Sequence, residues 1–559
     1  MPPTWNEAVA TLTAPGAPFE LGEAEVLGQR QRIFKNAPAS LRALFDLARG
    51  RGDAAFLVYE DERWSFGETM RQVDALGAAL VSRLGVRPGD RVAIAMRNYP
   101  EWVVAFAAIT SIGAISVSLN AWWTTEEMEY ALSDSGSRVV IADRERLARI
   151  EPLIGKLGLR PLVVRAEGAL PPGAVHWRDS VVPGEPLPDV ALDPDMDATI
   201  LYTSGTTGHP KGAVSTHRAV TSALMAFACR SFANNAMGVG GPRGDVVFPT
   251  SFVLVVPLFH VTGCVAVMLS CFLAGYKLVM MHKWEPARAL ELIERERITN
   301  FVGVPTQSWD LLECPDFAKY DTSSLASVGG GGAPAPPELV RRVDKSFSAA
   351  RPGIGYGMTE TNAYGPGNTG PDYLRKPTSC GRVAPPVEMR VTDEAGRVLG
   401  ADQVGELWFR GPTLIRGYWN KPEATAQTLV DGWLRTGDIG RIDDEGFVYV
   451  QDRAKDMVLR AGENVYCAEV EAALYEHPDV YEAAVFGVPH ERLGEEVAAA
   501  IVPKPGRELD PDALRTFLAR HLAAFKIPTR IAIRGEQLPR NPAGKILKRD
   551  LRDALVASA

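Results

Sequence analysis

The sequence is poor in cysteine, and its few cysteines lie far apart. Six occur in 559 residues, and no two of them form a C-x-x-C pair. Disulfide frameworks and structural zinc sites rest on closely spaced cysteines, so this spacing argues against both. The same usage favours a reducing compartment, and we expect a cytoplasmic protein.

A basic excess is also missing. The formal net charge is −8 and the sequence pI is about 5.7, whereas a protein that binds the phosphate backbone of a nucleic acid normally carries a clear positive excess. We therefore expect no nucleic-acid partner, although a local basic pocket for a nucleotide stays open. The N-terminus has neither a basic start nor an apolar core, so no secretory signal is expected.

One segment lacks charged residues altogether. Residues 246–276 contain no Asp, Glu, Lys or Arg, which is long enough to cross a bilayer. Two prolines, His260 and Gly263 interrupt the segment, and the uninterrupted apolar part, residues 262–273, is too short to span. We expect a buried core helix and no transmembrane segment, while contact with a membrane surface stays open.

The order of strand and helix patterns predicts an α/β fold. Buried strands such as "RVAIAMR" (91–97) and "RVVIAD" (138–143) alternate with amphipathic helices through the first 450 or so residues. This alternation is typical of parallel strands joined by crossover helices. From Val404 onward the two-residue alternation of antiparallel strands takes over, and the residues after Asp456 form a separate α+β block.

The stretch "LYTSGTTGHPKG" (201–212) has too few packing atoms to stabilise a core by burial. It offers hydroxyls, glycines and one ammonium instead, from Thr203, Ser204, Gly205, Thr206, Thr207, Gly208 and Lys211. A helix expected from about Thr216 would direct its N-terminal dipole back toward this loop, which together predicts an anion cradle for a polyphosphate. The spacing is neither a Walker A loop nor a dinucleotide-binding G-x-G-x-x-G.

This loop closely resembles the signature loop of the adenylate-forming family, which includes acyl-CoA synthetases, nonribosomal adenylation domains and firefly luciferase. Further motifs agree in order and spacing, and the resemblance covers nearly the whole chain. They are "GYGMTET" (355–361), "GELWFRG" (405–411), "GWLRTGDIG" (432–440), "DRAKDMVLRAGENVYCAEVE" (452–471) and "NPAGKILKRDLR" (541–552).

The resemblance implies a two-domain architecture. A large N-terminal domain, residues 1–454, would combine layered α/β sheets with a small β-barrel-like subdomain. A small mobile α+β lid domain, residues 455–559, would follow a hinge near Lys455. ATP, Mg²⁺ and coenzyme A (CoA) are the implied cofactor and co-substrates.

The nucleotide site follows from the same motifs. Tyr356 offers an aromatic face to adenine, and Thr359 suits a phosphate oxygen. Glu360, with Thr207, would hold Mg²⁺, a cation that prefers carboxylate and phosphate oxygens. By resemblance Asp438 accepts the ribose hydroxyls, and Arg453 contacts ribose or phosphate. The remaining nucleotide-binding residues are expected to be Gly331, Gly332, Ala333, Gly355, Gly357 and Met358.

Two residues are assigned to the reacting groups. Lys545 would bring positive charge to the crowded α-phosphate on a lid, so that the charge acts only when the site is closed. His260 matches the family's histidine near the reacting carboxylate. With Thr207 and Glu360 these complete the predicted catalytic set.

The acid substrate is expected to be hydrophobic. The segment around His260 has no Asp to hold an α-ammonium, and the tryptophan gate of some long-chain synthetases is missing, since Thr262, Gly263 and Cys264 stand there. The glycines of "GGGGAPAP" (329–336) would leave an open floor for a long or bulky acyl group. A medium- or long-chain fatty acid or a bulky cyclic acid is favoured, with an aryl acid as the alternative.

CoA is the favoured acyl acceptor, because Gly462, Glu463 and Lys526 lie in stretches that resemble the family's CoA-facing surface. The alternatives are transfer to a separate carrier protein, a luciferase-like oxidation, or a nucleotide sensor without activity. The oligomeric state is open, with a homodimer compatible with the sequence.

Overall fold

The computed structural model describes residues 2–203, 209–243, 247–454, 456–460, 463–541 and 544–558. Seven residues of the predicted site lie outside these ranges: Ser204, Gly205, Thr206, Thr207, Gly208, Lys455 and Gly462.

The β-strands are, in chain order, β1 Leu21–Val26, β2 Gln29–Phe34, β3 Ala55–Tyr59, β4 Glu62–Ser65, β5 Arg91–Ala95, β6 Ile115–Ser118, β7 Val139–Asp143, β8 Arg160–Val164, β9 Val175–His176, β10 Asp197–Tyr202, β11 Gly212–Thr216, β12 Ser251–Leu254, β13 Lys277–Met280, β14 Asn300–Gly303, β15 Ser327–Gly331, β16 Arg351–Gly355, β17 Gly367–Thr369, β18 Glu388–Thr392, β19 Gly405–Arg410, β20 Gly417–Tyr418, β21 Leu429–Val430, β22 Trp433–Ile442, β23 Val448–Arg453, β24 Val458–Arg460, β25 Glu463–Val465, β26 Val480–His490, β27 Gly494–Pro503 and β28 Arg530–Ile533.

The α-helices are α1 Trp5–Thr13, α2 Leu41–Arg49, α3 Phe66–Ser82, α4 Pro100–Ser111, α5 Thr125–Ser135, α6 Arg144–Ile150, α7 Ile154–Leu157, α8 Trp177–Ser180, α9 His217–Ala236, α10 Ser270–Ala274, α11 Pro286–Glu296, α12 Pro305–Glu313, α13 Pro337–Ser346, α14 Gly370–Arg375, α15 Pro422–Thr428, α16 Cys467–Tyr475, α17 Pro511–Leu518 and α18 Lys548–Ala557. A π-helical segment, Thr262–Leu269, leads into α10.

Two eight-stranded sheets organise the first part of the chain. The first has the order β20-β11-β10-β6-β5-β7-β8-β9, and the second β17-β16-β15-β14-β12-β13-β3-β4. Their inner strands pair in parallel, because each connection crosses back through a helix, and both sheets add antiparallel strands at their edges.

Helices packed between these two sheets build the main hydrophobic core. Helix α4 is buried almost throughout, and its Trp102 ring stacks on Phe106 with centroids 5.6 Å apart. Strand residues of both sheets, such as Ile94 and Leu278, belong to the same apolar cluster. A helix that is apolar on all sides is stable only in such a fully enclosed layer.

Two smaller sheets follow. Strands β18, β19, β22, β21 and β23 form a five-stranded antiparallel sheet. Strands β25, β24, β27, β26 and β28 form a second five-stranded sheet, which is antiparallel except that β28 pairs in parallel with β27. The latter has its own apolar clusters on its two faces, which include Val485 and Leu514 on one side and Phe486 and Leu551 on the other. The residues after about 457 therefore carry a core of their own.

The predicted α/β fold class, with layered sheets, a small antiparallel unit and a C-terminal α+β unit, is confirmed. The apolar part of the charge-free segment is helical, as expected, with the wide-turn helix Thr262–Leu269 followed by α10. None of the helices in the described ranges combines the length and apolar character that crossing a membrane requires. The hinge at Lys455, and with it the division into 1–454 and 455–559, stays a prediction.

Candidate active site

The two strands that flank the predicted phosphate loop pair with each other. Strands β10 and β11 pair antiparallel, with Tyr202 opposite Gly212, and the Thr203 N–H donates to the Lys211 carbonyl at 2.9 Å. The loop residues between, 204–208, lie outside the described residues.

The expected contribution of a helix dipole to this loop is wrong. Helix α9 begins at His217, with Thr216 as its N-cap, close to the expected position. However, the five residues of β11 separate the loop from the helix, a distance of about 16 Å at the usual rise of a strand. The helix N-terminus therefore lies at the opposite end of β11, and the dipole falls off within its first turn.

A tyrosine instead connects the loop to the next motif. The Lys211 ammonium lies 4.7 Å from the centre of the Tyr418 ring, and the Tyr418 hydroxyl donates to Glu360 Oε1 at 2.6 Å. Strand β20, which contains Tyr418, pairs with β11 beside Lys211. Burial raises the pKa of Tyr418, so its hydroxyl stays protonated and keeps donating. Sequence reasoning missed Tyr418.

Glu360 suits the predicted role of a Mg²⁺ ligand. It lies with Thr359 in a short 3₁₀ turn, Thr359–Thr361, and the Tyr418 bond fixes one of its oxygens. A carboxylate oxygen held in this way is the hard ligand that Mg²⁺ prefers. Thr207, the other predicted ligand, is outside the described residues.

Asp438 and Tyr356 lie together, although 82 residues separate them in the chain. The Tyr356 hydroxyl donates to Asp438 Oδ2 at 2.5 Å, and Arg453 Nε lies 3.5 Å from Asp438 Oδ1. Arg453 stands opposite Asp438 in the β22–β23 ladder. Burial raises the pKa of the Asp438 carboxyl. A buried carboxylate between a hydroxyl and a guanidinium is suited to accept hydroxyl hydrogens from a ribose.

At the predicted adenine and acyl floor, the backbones of neighbouring strands approach the glycines too closely to admit a side chain. A Cβ on Gly330 would lie 1.6 Å from the Gly303 carbonyl oxygen, and one on Gly331 would lie 2.4 Å from the Gly355 oxygen. Neighbouring strands thus fill the space that the sequence indicated as open. Gly332 differs, since it has a φ of +81° and only Val304 nearby, at 3.9 Å.

The other residues predicted at this floor follow the same strands. Gly355 ends β16, Gly357 and Met358 lead into the turn of Glu360, and Ala333 follows β15. A Cβ on Gly357 would lie 2.3 Å from the Ala363 oxygen. Gly355, Gly357 and Met358 therefore border the region between Tyr356 and Glu360.

His260 stands directly before the π-helical segment, with its imidazole among apolar residues. Its Nε2 is buried and has no hydrogen-bond partner among the described residues. Burial, and secondarily the charge of Lys545, lowers the pKa of His260 to about 4. The imidazole is therefore neutral at pH 7 and has a nitrogen to offer to a ligand.

Lys545 reaches this site from the C-terminal part of the chain. Its charge lowers the pKa of both His260 and Asp438, so the ammonium acts electrostatically on each of them. Asn541 Oδ1 accepts from the Lys545 N–H at 2.9 Å, and the Lys545 carbonyl accepts from the Asn541 N–H at 2.8 Å. The fold thus couples three predicted residues that the sequence separates widely.

Two of the residues predicted to face CoA, Glu463 and Lys526, lie in the described part of the C-terminal unit. Glu463 is exposed at the start of β25. Lys526 is held by Glu469, whose carboxylate oxygens both lie 2.7 Å from its ammonium. An exposed ion pair of this kind is weak, so a phosphate could replace it.

A basic and aromatic group beside His260 was not identified from the sequence. The Arg97 guanidinium lies 4.5 Å from the centre of the Trp122 ring, and Trp122 packs edge-on against Phe259, the neighbour of His260. Arg97 Nε and His282 Nδ1 are buried without a hydrogen-bond partner among the described residues. These residues lie at the ends of strands in different sheets, so no local spacing could reveal the group.

Comparison with known proteins accounts for both parts of the chain. Residues 44–419 match the family described as AMP-binding enzyme, and residues 469–545 match the AMP-binding enzyme C-terminal domain. The first match alone covers more than half of the chain.

Similar proteins include several CoA ligases. The long-chain-fatty-acid–CoA ligase FadD13 of Mycobacterium tuberculosis is 36% identical over 502 residues, which cover 88% of this chain and 93% of that protein. A methyl-dioxo-octahydroindenyl-propanoyl:CoA ligase of the same organism is 36% identical over 526 residues, covering 91% and 98%.

A solved structure shows the same architecture. The anthranilate CoA ligase AuaEII in complex with anthranoyl-AMP superposes with a TM-score of 0.83 at 28% identity, over 93% of this chain and 98% of that chain. The chain therefore belongs to the AMP-binding enzyme family and is an AMP-forming acyl-CoA synthetase.

Proposed function

We propose that this synthetase activates a hydrophobic carboxylic acid as an acyl adenylate and then transfers the acyl group to CoA. The observation that carries the proposal is the electrostatic coupling of the Lys545 ammonium both to the neutral, buried His260 imidazole and to the buried Asp438 carboxylate. Each suits a different part of the reacting pair of acid and nucleotide.

In the first step a carboxylate oxygen of the acid attacks the α-phosphorus of ATP. A new P–O bond forms, the bond to the β-phosphate oxygen breaks, and pyrophosphate leaves with its electron pair. Lys545 offsets the charge that gathers on the α-phosphate, and a neutral His260 can donate one N–H to the acid carboxylate. Asp438 holds the ribose, so that the α-phosphate is oriented for attack.

Mg²⁺ fits the oxygen donor of Glu360, and Thr207 is its second proposed ligand. The ion would supply positive charge to the triphosphate when bound. Tyr418 keeps the Glu360 carboxylate in a fixed orientation toward the loop that carries Lys211.

In the second step the CoA sulfur attacks the acyl carbonyl. A C–S bond forms, the C–O bond to AMP breaks, and the thiol proton is released to water. CoA carries several phosphates, and the Arg97 guanidinium, which lies over the Trp122 ring and has a buried Nε without a hydrogen-bond partner among the described residues, gives an anionic co-substrate a site close to His260. Gly462, Glu463 and Lys526 are proposed to contribute from the C-terminal domain.

The acid is proposed to be apolar, because the segment that follows His260 is apolar. The π-helical segment that follows His260 contains only Thr, Gly, Cys, Val, Ala, Met and Leu. No carboxylate of the described residues pairs with His260 or lies on this segment to hold an α-ammonium. The related fatty-acid and bicyclic-acid ligases agree with this choice.

The reaction is tested by its nucleotide products. The purified enzyme should exchange labelled pyrophosphate into ATP only when a suitable acid is present, and should then release AMP and form a thioester when CoA is added. A panel of palmitic, cyclohexanepropionic, 4-coumaric and malonic acids tests the acid, with malonate expected to be inactive. Release of ADP, or ATP use that ignores every acid, would overturn the proposal.

The acceptor site has its own test. Arg97→Ala should raise the KM for CoA roughly tenfold, as expected for losing one charge-assisted contact to a phosphate, while acid-dependent pyrophosphate exchange stays at the wild-type rate. An unchanged KM for CoA would remove Arg97 from the site.

A further inference from the structure

Helix α12 meets the C-terminal domain at two points. At its start, a Cβ added to Gly544 would lie 2.9 Å from Val304 Cγ2, so the Gly544 backbone packs closely against the Val304 side chain. Two turns further along, Asp310 Oδ1 accepts a hydrogen bond from the Tyr481 hydroxyl at 3.1 Å. This single helix therefore touches both the loop of Lys545 and strand β26.

The Asp310 carboxylate accepts a hydrogen bond on each of its two oxygens. Its other oxygen, Oδ2, accepts from Trp284 Nε1 at 2.8 Å, so each oxygen has a defined donor. Burial raises the pKa of Asp310, and the two donors oppose that rise by favouring the ionised form. A hydrogen bond to an ionised, partly buried acceptor is stronger than one between neutral groups.

A short chain of bonds connects Tyr481 to Lys545. Glu482, the next residue, is buried and accepts from Arg540 Nη2 at 2.6 Å. Arg540 Nη1 donates to the Gly544 carbonyl at 2.8 Å, and Gly544 directly precedes Lys545. The Arg540 guanidinium thus links strand β26, which contacts helix α12, to the loop that carries Lys545.

We propose that Asp310 is a positioning residue for the first half-reaction, which rests on the two-step reaction proposed above. Its bond to Tyr481 holds the C-terminal domain where Lys545 enters the site beside His260. Asp310 touches neither nucleotide nor acid and acts through Tyr481 alone. The second half-reaction uses a preformed acyl adenylate and does not need Lys545 on the phosphate, so it is independent of this bond.

The test separates the two half-reactions in the full-length enzyme. Tyr481→Phe removes only the donor hydroxyl, and Asp310→Asn removes the charge from the other side of the same bond. Each should slow single-turnover formation of acyl adenylate about tenfold, the typical loss for a charge-assisted hydrogen bond. The KM values for ATP and acid, and the rate at which CoA consumes preformed acyl adenylate, should stay at wild-type values.

Tyr475→Phe is the matched control. It is the same chemical change in the same domain, but the Tyr475 hydroxyl bonds only to the backbone of Ala483 in the described residues. This variant should keep the wild-type rate of acyl-adenylate formation.

The outcomes are distinct. Slowing of both half-reactions by the same factor, or equal adenylation rates in wild type and in both variants, overturns the role of Asp310. Failure of the wild-type enzyme to form any acyl adenylate overturns the proposed function instead, and is detected before any variant is made.

Discussion

Replacing Lys545 by Met should change both the rate of adenylation and the titration of His260. Met keeps most of the side-chain volume and removes only the charge. Loss of one placed charge at a developing anion costs roughly 10²–10³ in rate, or about 2.7–4 kcal/mol. Formation of thioester from preformed acyl adenylate should stay close to wild type, because that step breaks no bond at the α-phosphorus.

The same variant should raise the pKa of His260. The wild-type pKa is about 4 against an ordinary 6.5, and the Lys545 charge is the smaller of its two causes, after burial. Because burial remains in the variant, we expect the pKa of His260 to rise only part of the way toward its ordinary value.

NMR of enzyme with ¹³C-labelled histidine rings measures this rise. The sequence has eight histidines, and His260→Gln identifies the signal. An unchanged His260 titration in Lys545→Met would refute the inferred electrostatic coupling to the ammonium, whatever happens to the rate.

The low pKa of His260 also makes the free energy of unfolding depend on pH in the acidic range. Because the folded pKa lies below the unfolded one, the folded state binds fewer protons between pH 6.5 and about 4. The free energy of unfolding therefore falls as the pH drops through this window, by up to about 3 kcal/mol from His260 alone. His260→Gln should flatten this part of the curve in urea titrations, whereas an equally steep curve would contradict the buried neutral imidazole.

Two substitutions test the supporting structure. Tyr418→Phe removes the hydroxyl that holds Glu360; acyl-adenylate formation should fall about tenfold and need more Mg²⁺, and an unchanged Mg²⁺ dependence would argue against Glu360 as a ligand. Gly330→Ala should destabilise the protein by about 1–3 kcal/mol, since its Cβ would meet the Gly303 oxygen at 1.6 Å. Gly155→Ala, with nothing within 4 Å, is the control, and equal melting temperatures of the two variants would contradict the close approach.

Much of the fold could be predicted from the sequence, because the period of apolar residues reports which faces are buried. Strands β5 and β7, for example, lie close to their predicted positions. The change to antiparallel pairing after Val404 could also be predicted, since the two-residue alternation there indicates that one face of each strand is exposed to solvent.

The relations between motifs could not be predicted in the same way. The bond from Tyr418 to Glu360 spans 58 residues and exists only because β20 pairs with β11. Glycines 329–331 have no side chain whose polarity could indicate whether the space around them is open or filled. Only the spacing of the strands in the structure shows that backbone carbonyl groups occupy this space. The predicted contribution of the α9 dipole to the phosphate loop was wrong for a similar reason, because strand β11 lies between the loop and the helix.

Lys211, Glu360 and Asp438 lie in the first part of the chain, on the strands of its sheets or in the turns beside them, whereas Lys545 comes from the last part. Under the proposed roles, binding of the nucleotide and acceleration of its chemistry depend on different stretches of polypeptide. A change in the final residues can alter turnover while the ATP concentration that the enzyme needs stays the same. Selection can thus adjust speed and saturation one at a time.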